Sequence, residues 1–119
     1  MAYTTIDNPF KFFDTTTWST VDTSIDTLNF QPDWAWLKSR SNADTHVVFD
    51  SARGANKRIS PSEVSAESTT SDELTAFNSN GFTLGTGDNV NRSSQTMVAW
   101  SWKAGTTSSI SGGSITPAA

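Results

Sequence analysis

Hydrophobic positions along this chain alternate at a spacing of two, and no segment sustains the three-to-four spacing of an amphipathic helix. The clearest case is "DWAWLK" (Asp33–Lys38), with Trp34 and Trp36 on one face and Ala35 and Leu37 on the other. Successive strand side chains point to opposite faces, so this stretch predicts a strand. Both faces are apolar, which predicts a central one. "QTMVAWSWKA" (Gln95–Ala104) is the longest strand candidate. There Met97, Ala99 and Ser101 share one face, and Thr96, Val98, Trp100 and Trp102 share the other.

The remaining pattern is shorter in range. "THVVFDSA" is a β-branched, aromatic run, and the Gly54, Ala55 and Asn56 that follow it mark a turn. "KRIS" reads as a short return strand ended by Pro61. "LTAF" and "FTLG" flank "NSNG", whose Asn-Gly pair suits a hairpin. Trp18, Ile25, Leu28 and Phe30 give weaker strand signals. Residues 60–73 read as a polar loop with one helical turn near Glu63–Glu67, and "GTGDNVNRSS" as a turn-rich connection. Six to eight short strands between turns predict an all-β fold, a jelly-roll or concanavalin-like β-sandwich. Three regions are expected. Residues 1–24 form an extended N-terminal arm with the aromatic knot "PFKFF", in which Pro9 opens a short helical turn. Residues 25–105 form the sandwich. Residues 106–119 are a flexible Ser/Gly/Thr-rich tail that reads as a lead-in to further sequence.

Composition narrows the function. Eighteen serines and eighteen threonines in 119 residues, with only 17% charged residues, give a neutral-polar surface suited to exposed strands. A net charge of −4 disfavours nucleic-acid binding, which needs a basic stripe. The basic clusters "KSRS" and "RGANKR" are interleaved with Asp33, Asp44 and Asp50 and read as a salt-paired surface. With no cysteine there is no disulfide, thiol catalysis or thiolate metal site. No apolar stretch approaches the roughly 18 residues of a membrane span, and "MAYTTIDNPF" lacks the features of a signal peptide.

Candidate chemistry is sparse. A lone His46 without a second histidine points to a structural role rather than a metal site, and no cofactor is expected. There is no G-x-S-x-G nucleophile elbow. Glu63, Glu67 and Glu73 lie in or beside the polar loop and read as solvated charges, not as a fixed catalytic pair. The chain is therefore expected not to be an enzyme. In "FDSARG", Asp50 and Arg53 are spaced to pair across a tight strand exit, as a structural ion pair or a subunit contact. Phe10, Phe12 and Phe13 are the candidate assembly contacts of the arm. The tryptophans allow two readings: Trp34, Trp36, Trp100 and Trp102 pack a core, or they stack on sugar rings. The apolar residues opposite them, Ala35, Leu37, Met97 and Ala99, favour the core.

The ordered blocks "FQPDWAWLKSRS", "HVVFDSARGANKRIS", "FNSNGFTLGTGDNVN" and "VAWSWKAGTT" resemble a family of tailed-phage proteins common in marine and environmental phages. The likeness covers residues 28–106, with the blocks in the same order and at similar separations. Ser101 stands where the family usually has Cys, and Asn29 where Gly is common. The resemblance implies a non-enzymatic virion component, a tail-fibre or tail-associated protein, in a β-sandwich. It brings no catalytic residues. Expected partners are other virion proteins of the tail or capsid, further copies of the chain (a trimer above all) and a host surface glycan. The expected location is the virion, assembled in host cytoplasm and released by lysis. The alternative is a carbohydrate-binding module on the virion surface.

Overall fold

The computed structural model describes residues 8–19 and 21–104, and these form two antiparallel sheets around one core. The first sheet has four strands: β1 (Phe13–Trp18), β3 (Trp34–Ser39), β4 (Val47–Asp50) and β9 (Met97–Trp102), in the order β1-β9-β3-β4. The second has three: β2 (Ser24–Ile25), β7 (Leu74–Asn78) and β8 (Gly81–Leu84), in the order β2-β8-β7. A two-stranded ribbon, β5 (Lys57–Arg58) with β6 (Ser68–Thr69), accompanies them, as does a single-turn helix α1 (Asp88–Asn91).

One buried cluster joins the inner faces of both sheets. Ala35, Leu37, Val47, Phe49, Met97, Ala99 and Trp18 come from the first sheet, and Ile25, Leu74, Phe82 and Leu84 from the second. The fold is therefore an all-β sandwich. Leu28 and Phe30, from the β2–β3 connection, seal the core without being in strands. Burying a large apolar side chain such as Phe49 or Phe82 contributes about 1.5–3 kcal/mol, so this cluster is the main source of stability. On the first sheet small and large residues interleave. Ala35 pairs with Phe49 on one side and with Ser101 on the other. Phe49 fills the space that the two small residues leave.

The expected strands are found at "DWAWLK", "VVFD", "KR", "LTAFN", "GFTL" and "MVAWSW". β3 is central, as its two-sided apolarity predicted, and β9 lies beside it. Three expectations are corrected. Phe13–Trp18 and Ser24, expected in an arm apart from the domain, belong to its sheets. Phe13–Trp18 pair along their whole length with β9, Trp18 lies in the core, and Ser24–Ile25 pair with β8. The Thr-rich stretch is an edge strand, where hydroxyl-bearing β-branched residues are at home. The loop of residues 60–73 has no helical turn at Glu63–Glu67. It instead supplies β6, paired with β5 through Arg58↔Ser68 and Lys57↔Thr69. Glu73 is no solvated loop charge. It is 3% exposed, its Oε1 accepting from Arg58 Nη1 at 2.8 Å and Asn89 Nδ2 at 3.0 Å. A buried carboxylate is tolerated only when paired in this way. Residues 1–7 and the tail 106–119 lie outside the described residues.

Two local devices fix the second sheet. The hairpin loop is Ser79–Asn80, and Gly81 opens β8 with φ 153°. A Cβ there would stand 1.7 Å from the Ile25 carbonyl oxygen, so the glycine lets β8 cross β2 closely. Asn91 is buried. Its Oδ1 accepts from Asp22 N at 2.9 Å, and its Nδ2 donates to the carbonyls of Asp22 and Gly85. The side-chain amide thereby stands in for a backbone pair and ties the approach to β2 onto α1.

Candidate functional site: an aromatic outer face

The outer face of the four-stranded sheet carries the tryptophans. The core role expected for Trp34, Trp36, Trp100 and Trp102 is corrected here. Each is partly exposed, while Ala35, Leu37, Met97, Ala99 and Ser101 take the inner face. Alternation sorts residues into two faces but does not say which face meets a second sheet. Leu37 and Met97 on that inner face pack with Phe49 and Phe82 and fill the interior.

Strand register sets the aromatic rows. Phe13, Trp102, Trp34 and Asp50 form one row across β1, β9, β3 and β4. Thr15, Trp100, Trp36 and Val48 form the next, roughly 7 Å further along the strands. Ring centroids link the rows into one ladder. Phe13–Trp102 are 4.9 Å apart, Trp102–Trp34 4.4 Å, Trp34–Trp36 5.8 Å and Trp36–Trp100 6.2 Å, with interplanar angles of 51–76°. Such tilted and edge-to-face contacts are the preferred aromatic geometries. The ladder ends at His46, whose Nδ1 accepts from Trp36 Nε1 at 3.1 Å. That bond requires a neutral imidazole with its proton on Nε2. His46 therefore has a structural partner, and its role here was not visible in the sequence, where ten residues separate it from Trp36.

The other end of the ladder is polar and rigid. Asp33 Oδ1 accepts from Ser51 Oγ at 2.8 Å and Oδ2 from Ala104 N at 2.9 Å, which clamps the exits of β4 and β9 beside Trp34 and Trp102. Asp33 was singled out in the sequence only as a charge among basic residues. The Asp50–Arg53 pair forms as expected. Asp50 Oδ2 lies 2.6 Å from Arg53 Nε, and Oδ1 accepts from Arg53 N at 2.8 Å. Arg53 also reaches Glu67 at 3.2 Å. Burial pushes the Asp50 carboxyl up, but hydrogen bonds from the Arg53 backbone and guanidinium, with its charge, outweigh that and hold it below 3.8. Arg53 is held above its usual range: burial lowers it, and its bonds to Asp50 and Glu67 more than compensate.

Phe13 belongs to the ladder. Phe10 and Phe12 stay exposed at 56% and 43% around a 3-10 turn, Pro9–Lys11, in which Asn8 Oδ1 accepts from Phe10 N. Pro9 opens this turn as anticipated.

Fold and face together define a class: a two-sheet β domain with an open aromatic ladder on its four-stranded sheet. The chain belongs to the DUF7483 family, a domain of unknown function, whose model matches residues 8–119. No curated protein and no solved structure matches the chain.

Proposed function

We propose that this protein is a non-enzymatic component of a tailed-phage virion, a tail-fibre or tail-associated protein that works by assembly and attachment. The observation that carries the reading is where the phage-like sequence blocks converge. "DWAWLK" is β3, "VAWSWK" is β9 with Lys103, and "FDSARG" is the exit of β4. They meet at one outer face, where Trp34, Trp102 and Asp50 share a row. The alternate residues of the same blocks, Ala35, Leu37, Phe49 and Ala99, turn inward and pack the core. The blocks bring partly exposed tryptophans and a clamped polar rim together on the surface. Tryptophans held by their neighbours lose little freedom on binding, which makes them effective anchors.

In this reading the partners are other virion proteins and further copies of the chain, a trimer being the expected oligomer. Phe10 and Phe12 are assembly contacts, and avidity across the symmetric assembly strengthens attachment to a host surface. The test is compositional. Mass spectrometry of gradient-purified particles should find the chain at fixed stoichiometry after a high-salt wash, and antibody labelling should mark the tail. A chain confined to the infected-cell lysate and missing from purified particles overturns the proposal.

A further inference from the structure

We infer that the aromatic face is a binding site for a neutral oligosaccharide, laid along the ladder from Trp102 across Trp100 and Trp36 to the Pro61–Ser62 loop. The inference rests on the reading of this face as the protein's binding surface and adds the ligand's chemistry. Three grooves adjoin along that line. The central one, about 440 Å³, is walled by Trp36, His46, Trp100 and Trp102. It shares Trp36 and His46 with a groove reaching Pro61 and Ser62. It shares Trp102 with another, reaching Asp33, Ser51 and Lys103. The track is thus aromatic in its middle and hydrogen-bonding at both ends.

A pyranose has the matching character, with an apolar C–H face for indole rings and a rim of hydroxyls. The donors are in place. Nδ1 of His46 is engaged by Trp36, which leaves Nε2–H for a hydroxyl. Ser62 Oγ accepts from His46 N at 3.2 Å and keeps its own proton to donate. Charge decides against an acidic glycan. Lys103 is the cation lining the track, it stands with Asp33 and Asp50, and the chain carries −4 overall. The narrow arrangement of the tryptophans favours an extended chain. The tryptophans occupy two strands about 5 Å apart, bordered by Thr15, Thr17 and Lys38. A standard protein interface needs roughly 800 Å² per side. Two aromatic rows roughly 7 Å apart instead offer successive stacking positions to a linear chain.

The test is an array of neutral and acidic oligosaccharides probed with the full chain, followed by calorimetry on the strongest neutral hit. Binding to a neutral glycan is expected. Trp100→Ala should lower the affinity about tenfold, the loss of one stacking contact. Trp100→Phe should retain most of the affinity, and circular dichroism on both variants separates lost binding from lost folding. Binding to acidic glycans alone, or equal affinity in folded Trp100→Ala, overturns the inference. An array with no neutral hit also overturns it. In that case, if Trp100→Ala still prevents incorporation into particles, the face remains a binding surface and only the ligand is wrong. If the variant also incorporates normally, the reading of the face fails with it.

Discussion

At the scale of single residues, the interior holds a group without a partner. Ser101 is fully buried in β9, and its Oγ makes no hydrogen bond. An unpaired buried hydroxyl carries its desolvation cost uncompensated. Ser101→Ala should therefore raise the unfolding free energy by about 1 kcal/mol in urea denaturation, and a loss of stability would refute the account. Asp50 gives a pH prediction. Its carboxyl is held below 3.8 in the folded chain, so the unfolded chain binds a proton first as pH falls. The stabilisation from this pair is complete above that value and disappears as pH falls through the lower, folded value. Asp88, also held low by the hydrogen bond and charge of Arg92, acts in the same direction, so the comparison needs a variant. Wild type should lose its advantage over Asp50→Asn between pH 5 and the acid limit, read as converging melting temperatures. A gap that stays constant would exclude this role. The Asp50–Arg53 pair was legible from its spacing alone, because a strand exit brings positions three apart together. The burial of Glu73 was not, since its partners Arg58 and Asn89 lie fifteen and sixteen residues away.

At the scale of elements, β1 is the exposed edge of the four-stranded sheet. The opposite edge, β4, is covered by a bridge between Val48 and Ile59. On β1, Phe12 O accepts from Lys103 N, so the ladder's alternation turns the N–H and C=O groups of Phe13, Thr15 and Thr17 away from β9. A free edge of this kind is a template for pairing with another chain. Asp14 Oδ1 accepts from Thr15 N at 2.8 Å and takes the central donor of that edge. The Asp14 carboxylate thus blocks edge-to-edge addition. Asp14→Ala should shift the protein toward larger species in sedimentation velocity, with the monomeric fold retained. Unchanged sedimentation at high concentration would dismiss the idea. The strands of this sheet were readable from period-two alternation where both faces are apolar, as in β3 and β9. β1 was only weakly readable as a strand, because the inward side of "FDTTTW" carries Asp14 and Thr16 and only Trp18 enters the core. β6 was hidden for the same reason, being two polar residues held by pairing rather than by burial.

At the scale of the whole molecule, the boundary of the domain moves. A division at residue 24 would put β1 outside the sandwich and split β2, whereas both complete its sheets. Two truncations separate these views. Removing residues 1–12 takes away Phe10 and Phe12 and should leave a cooperative melting transition. Removing residues 1–17 strips β1 from β9 and should abolish that transition. If both shortened chains melt alike, β1 is dispensable and the original boundary stands. The all-β class and the central place of β3 were legible in sequence, because alternation and apolarity are local properties. The orientation of the tryptophan faces was not, because it depends on which side the second sheet covers, and that is settled by packing between segments that alternation within one strand does not relate. The exposed ladder also has an optical consequence. Indoles with centroids 4.4 to 6.2 Å apart couple their excited states. The four should give a paired positive and negative band in ultraviolet circular dichroism, distinct from the signal of the isolated, buried Trp18. Anything that settles on the face reorients or shields those transition dipoles, so the protein carries a built-in, label-free reporter of its own occupancy.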